Sequence, residues 1–330
     1  MKAKQHILLV LVAAVVVLGA ALWAVTRSNT KAEEAASAAA EGTIPLSAFA
    51  VDDLEQIEYT WQGETYTLQT TADGWILAQD PAYHLDSSAC DTMRTALMAL
   101  NAKRQLTARA GEDYGFADPL LTVTVTAAGE STTLTFGAEN PVTGDLYVQK
   151  AGDDSIYTVD GNKAACFELD KASLFGSFCP TGLTASSIQQ LTYTLADGAT
   201  VALKAVSALD ESATSSDSTE AASDSTSYQT LWQLTDEPDA ALNQDTVQSL
   251  LSALCTYVSG QITEADLAAY GFNAPVFTAQ IATANGMVQV AYASGTDGYY
   301  LYVEGDNSLY PVDSSTMQAL LRTAEDLKAE

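Results

Sequence analysis

The 330-residue chain is 47% hydrophobic and sets 14 Lys and Arg against 42 Asp and Glu, a formal charge of −28. Four of the basic residues (Lys2, Lys4, Arg27, Lys31) precede the first acidic one, Glu33, so the chain beyond Lys31 has only 10 basic residues for 42 acidic ones. Such a surface repels phosphate backbones and anionic headgroups, which excludes nucleic acid as a partner; solubility, or attraction of basic partners, is what the charge can supply.

Residues 7–25 form the longest apolar run, ILLVLVAAVVVLGAALWAV. Nineteen helical residues reach about 28 Å, close to the hydrocarbon thickness of a bilayer. The expectation is a membrane anchor over 1–26. Its N-terminus is cytoplasmic, Trp23 sits at the outer boundary, and the long acidic remainder lies outside the cytoplasm. A cleaved signal peptide is the alternative, although its apolar core typically runs about 7–15 residues. Residues 27–44 are polar and Ala-rich and form a stalk or linker with nothing to bury.

A first repeat spans 45–178. Leu54, Ile57, Tyr59 and Trp61, then Tyr66 and Leu68, then Trp75-Ile76-Leu77 give three strands, the last after an Asp73-Gly74 turn. Ser87 or Ser88 caps a helix bearing Met93, Ala96, Leu97 and Leu100 at helical spacing. After Tyr114-Gly115-Phe116 and Pro119 come four strands at 121–126, 132–136, 146–149 and 156–159, then a closing helix near 163–174.

A second repeat, 183–328, runs the same way. Tyr270-Gly271-Phe272 and Pro275 return for Tyr114-Gly115-Phe116 and Pro119, and Trp232 for Trp75. Leu301-Tyr302-Val303 matches Leu146-Tyr147-Val148, Tyr310 matches Tyr157, and the turns Asn285-Gly286 and Gly305-Asp306 match Ala128-Gly129 and Gly152-Asp153. Asn243 caps a helix carrying Val247, Leu250, Leu251, Leu254 and Val258, and a last helix places Met317, Leu320, Leu321, Ala324 and Leu327 on one face. Residues 207–227, rich in Ser and Asp, have almost nothing apolar to offset ordering entropy and form a disordered insertion. The fold class is α+β: two tandem homologous units, each of antiparallel strands with a central and a closing helix.

The residues that recur are aromatics, glycines and prolines, which build folds rather than catalyse. There is no HExxH, GxSxG, Walker or GxGxxG motif, and of two histidines only His84 lies in a repeat, without metal-ligand spacing around it. Ser28-Asn29-Thr30-Lys31 is an SxxK in the stalk, outside any core that would hold a nucleophile. The densest carboxylates, Asp52-Asp53, Asp153-Asp154 and 236–239, sit at turns and loops. No catalytic residue, cofactor or metal site is expected. Cys90 and Cys255 suit buried thiols, and Cys166 and Cys179 are spaced to close a short loop as a disulfide or to remain free. Tyr147, Tyr157, Tyr299, Tyr300, Tyr302 and Tyr310 line either the core or an open sheet face that suits a glycan or protein partner.

The Trp strand, the Tyr-Gly-Phe-x-x-Pro step and the closing Tyr-rich strand pair resemble the bacterial domain-of-unknown-function family 4340, here in two copies over most of 45–330. That resemblance implies an N-terminal membrane anchor and, for some members, an association with ABC transporter components; it brings no catalytic residues. The expected function is a non-catalytic, membrane-anchored extracytoplasmic binding or assembly module with a protein partner in the envelope. A glycan hydrolase using surface carboxylates is the alternative. The expected partner surface is the junction bearing Phe175, Phe178, Pro180 and Leu183, in the groove between the repeats, unless these residues only close the first repeat's core.

Overall fold

The computed structural model describes residues 44–109, 111–209 and 228–329. The expected membrane anchor, nearly all of the stalk and most of the 207–227 insertion lie outside them. Among the described residues no helix is long and apolar enough to cross a membrane.

The chain forms two compact units. The first contains β1 (Ile44–Ala48), β2 (Leu54–Trp61), β3 (Glu64–Thr71), β4 (Gly74–Leu77), α1 (Ser87–Met98), β5 (Ala99–Ala102), β6 (Arg104–Leu106), β7 (Leu121–Ala127), β8 (Glu130–Glu139), β9 (Asp145–Lys150) and β10 (Ile156–Asp160). Eight of these strands make one antiparallel sheet in the order β4-β3-β2-β7-β8-β9-β10-β6, while β1 and β5 pair separately. Strict alternation builds it: Leu121, Val123 and Val125 of β7 are buried, and Thr122, Thr124 and Thr126 between them face the other way. Tyr59 of the buried face stands edge-on to Phe167, and Met93 and Leu97 of α1 are buried in the same unit.

The second unit contains β11 (Ile188–Leu195), β12 (Thr200–Leu209), β13 (Tyr228–Leu234), α2 (Gln244–Leu254), β14 (Ile262–Thr263), β15 (Phe277–Thr283), β16 (Gly286–Ser294), β17 (Tyr299–Val303), β18 (Ser308–Val312) and α3 (Ser314–Leu320). Its sheet order, β13-β12-β11-β15-β16-β17-β18-β14, repeats that of the first strand for strand. Even the irregularity recurs: register slips between Leu54 and Gln56 in one sheet and between Ile188 and Gln190 in the other. Trp75 lies opposite Thr70, and Trp232 lies opposite Ala205 at the matching step of its hairpin. Besides residues 175–330, this unit takes in Ala82–Asp86.

Several expectations change in detail. Ser87 is the first helical residue of α1 rather than a residue ahead of it, and Leu100 belongs to β5. Asn243 does cap α2, its side chain accepting from the Thr246 N–H. The closing helices are broken. Residues 161–163 and 165–167 form two 3-10 turns, and α3 stops at Leu320, with Leu321 exposed and a 3-10 turn at 325–327. In the first segment the buried residues are Ala164, Phe167 and Leu174, too sparse a stripe to hold a continuous helix.

The repeats also match differently in their late strands. Val148 faces Tyr157 and Leu301 faces Tyr310, so Tyr147 corresponds to Tyr300 and not to Tyr302. The shift is two residues, so the face is kept while the partner changes. Likewise the two-residue loop Ala128-Gly129 corresponds to Ala284-Asn285, because Ala127 pairs Glu130 and Thr283 pairs Gly286.

Candidate functional site

The step from Tyr114 to Pro119 positions the start of β7, and its copy from Tyr270 to Pro275 positions β15. Gly115 and Gly271 have φ of +78° and +86°, and a Cβ on either would lie 2.4 Å from the backbone of the following strand, at the Ala138 nitrogen or the Ser294 oxygen. The motif tyrosines stand edge-on to the matched strand residues: Tyr114 to Tyr147 at 5.0 Å and Tyr270 to Tyr300 at 4.9 Å between ring centres. Trp75 donates through its indole N–H to Asp91 at 2.9 Å, while Trp232 is buried and has its backbone held at both ends by Gln244. These marker residues are architectural.

Phe175, Phe178 and Leu183 are likewise committed to packing. Leu183 is buried, Phe175 and Phe178 pack against the second unit's core, and Phe178 stacks on His84 at 4.0 Å. Pro180 is half-buried beside them. His84 is further held through Nδ1 at 2.9 Å from the Gly176 carbonyl. The core these residues close is that of the second unit, not the first.

The face of each sheet turned away from its core is different in character. Across β3, β2, β7 and β8, one row reads Thr65, Thr60, Thr122, Thr135 and the next Thr67, Glu58, Thr124, Thr133. Neighbours in these rows hydrogen-bond, as in Thr60 with Thr65 and Thr124 with Thr133, each at 2.9 Å. In the second unit the corresponding residues are Thr200, Thr194, Thr278, Ala291 and Ala202, Thr192, Gln280, Gln289. Here the surface is concave. A groove of about 440 Å³ is lined by Thr192, Thr278, Gln280, Gln289, Tyr302 and Glu304, among others. Tyr302 is the aromatic of the late cluster that faces this groove; Tyr157, Tyr300 and Tyr310 are buried. The slip in matching the repeats hid this, because Tyr302 corresponds to Gln149 and has no aromatic counterpart.

Charge is distributed unequally as well. In the first unit the Lys103 ammonium bridges Asp145 at 2.8 Å and Asp160 at 3.3 Å. The Asp145 bond is the main cause that raises the Lys103 pKa, and Asp160 is lowered by the Asn162 N–H and then by Lys103. At the hairpins, Tyr157 donates to Asp153 and Tyr310 to Asp306, each at 2.5 Å. All four cysteines are free thiols; burial pushes Cys166 and Cys255 up to about 11, and Cys90 is buried. Among the described residues no group of three or more His, Cys, Asp or Glu is placed to hold a metal.

No curated protein and no solved structure matches the chain significantly. A family model does match, over 75–231 and 232–330, so that each matched segment opens on or just beside the equivalent tryptophan. The chain therefore belongs to the family described as Domain of unknown function (DUF4340), of which it carries two tandem copies.

Proposed function

We propose that this chain is a non-catalytic, membrane-anchored extracytoplasmic module that binds a partner in the envelope through the outer face of its second sheet. The observation that carries the reading is the groove around Tyr302. It offers one aromatic face, two amides, several hydroxyls and a single carboxylate on strands whose other side is a packed core. Rigid strands with cross-strand hydrogen bonds present such groups at little entropic cost on binding, which suits recognition. Glycoside hydrolysis, the alternative, uses two carboxylates flanking the bond, and Glu304 is the one carboxylate lining this groove. The aromatics Phe175 and Phe178 serve the fold, so the contact surface moves from the junction to the sheet. A transporter subunit is the partner class to test first, given the family.

The test is photocrosslinking from position 289 in membranes carrying the full chain, repeated with Tyr302→Ala and Gln280→Ala. A discrete crosslinked protein that is lost in both variants supports the reading. Turnover of an envelope glycan by the purified chain, abolished by Glu304→Gln, overturns it in favour of the hydrolase. Protease added to intact protoplasts tests the topology: removal of the two units is expected, and full protection until lysis would contradict it.

A further inference from the structure

We propose that the second unit holds a receptor site for a primary alkylammonium group, at the place where the first unit binds its own lysine. The paired strands of the two copies align through this region, and the loop before β17 is three residues shorter than the loop before β9. Asp160 corresponds to Asp313 and Asp145 to Gly298, because Thr158 pairs Tyr147 as Pro311 pairs Tyr300. On the neighbouring edge, Leu106 pairs Ile156 and Ile262 pairs Leu309, so counting back three residues sets Lys103 against Ser259. In the first unit the Lys103 ammonium fills this place and closes it with its two carboxylate contacts. In the second unit the side chain is a serine, and the place is a cavity of about 250 Å³.

What lines that cavity fits the missing group. Asp313 keeps the carboxylate of Asp160, and Asp297 stands one residue from the position of Asp145. The Asp313 side chain makes no capping hydrogen bond to α3, whereas Asp160 accepts from the Asn162 N–H. Tyr257, Tyr299 and Tyr300 supply the walls, and Tyr257 is 73% exposed at the mouth. Aromatic faces and carboxylates together attract an organic cation, and no Lys or Arg is among the lining residues. The stem of an alkyl ammonium lies against the tyrosines while its head meets Asp313 and Asp297, as the Lys103 ammonium meets Asp145 and Asp160 within its own unit. A lysine side chain of a partner and a free amine share this chemistry. The site lies apart from Tyr302, so failure of the sheet-face reading leaves it standing, and the reverse.

The experiment is calorimetric titration of the full chain, in neutral detergent, with n-butylamine and separately with a capped Ala-Lys-Ala peptide; 1-butanol serves as the uncharged control. Saturable binding of the charged probes is expected, weakened at least tenfold by Asp313→Asn and abolished by Ser259→Lys, which restores the internal ammonium. Asp236→Asn, elsewhere on the unit, leaves it unchanged. A tighter peptide than amine assigns the source to a protein partner, and the reverse assigns it to a small amine. Absence of binding, equal binding of 1-butanol, or unchanged affinity in Asp313→Asn overturns the proposal. Because Asp313 is exposed, that variant tests the site even if Ser259→Lys fails to fold.

Discussion

Gly271 shows at the scale of one residue why the repeated motif tolerates so little change. Two separate demands meet there, a left-handed backbone and a Cβ position already occupied by the Ser294 carbonyl. Gly271→Ala, and Gly115→Ala in the first unit, should each cost about 2–4 kcal/mol in denaturant unfolding. Gly129→Ala is the comparison. Its φ is +77° but open space surrounds it, so only the conformational cost of about 1–2 kcal/mol applies. Equal losses at all three sites would remove the steric argument. Lys103 makes a second residue-scale case. Lys103→Met should lower the melting temperature at neutral pH by leaving the buried Asp145 without its partner. Lys103 is raised, so its contribution is complete below the ordinary lysine range and fades as pH climbs through the folded value. Asp160 is lowered, so its share is present above the ordinary aspartate range and fades as pH falls through the folded value. The gap between the wild type and Lys103→Met, followed by melting across pH, should therefore be flat near neutrality and narrow at both ends.

Among elements, the hairpin of β12 and β13 is the informative one. The two strands stay paired to Leu209 and Tyr228, where the first unit closes its equivalent hairpin after Thr71 with two residues. Replacing residues 210–227 by Asn-Gly should therefore preserve the fold and raise stability by up to about 2 kcal/mol, the difference in loop-closure entropy; a lower unfolding midpoint would show that the tract contributes contacts. The strands were legible in the sequence because alternation such as Leu121-Thr122-Val123-Thr124-Val125 has no helical counterpart. The short strands were not. Ile44–Ala48 and Ala99–Ala102 carry no run of β-branched or aromatic residues to mark them, Ile262–Thr263 is too brief to form one, and each is defined by the strand it pairs with. The broken closing helices misled for the opposite reason: Met317 and Leu320 have helical spacing, but the pattern ran on through Leu321 and Ala324, where the chain turns. The groove around Tyr302 was illegible, since a sequence shows that a tyrosine alternates on a strand but not that Gln280 and Gln289 lie across from it.

For the whole molecule, charge is the dominant quantity. Beyond Lys31 the formal balance is −32, so raising salt from about 10 to about 200 mM should increase the melting temperature by screening self-repulsion. A fall over that range would mean that ion pairs such as Lys103 with its two aspartates outweigh the repulsion. The duplication lets one molecule carry two versions of the same element with different duties. The first copy satisfies its acidic corner with its own lysine, and the second leaves the corner open.

The strand order has a consequence for how this chain can meet copies of itself. Each sheet ends on one side in a strand of two or three residues, β14 or β6, too short to template another chain. On the opposite side the first sheet ends in the four residues of β4, but the second ends in the seven of β13, whose Tyr228, Gln229 and Thr230 are exposed. That strand is the longest border in either sheet, and although the Gln244 side chain occupies it at Trp232, its first residues present the kind of backbone edge along which proteins polymerise. The residues joined directly to its start, 210–227, carry five Asp and Glu and no Lys or Arg. A second molecule approaching that border would bring the same negative charge with it, so like-charge repulsion opposes strand pairing between copies along this edge.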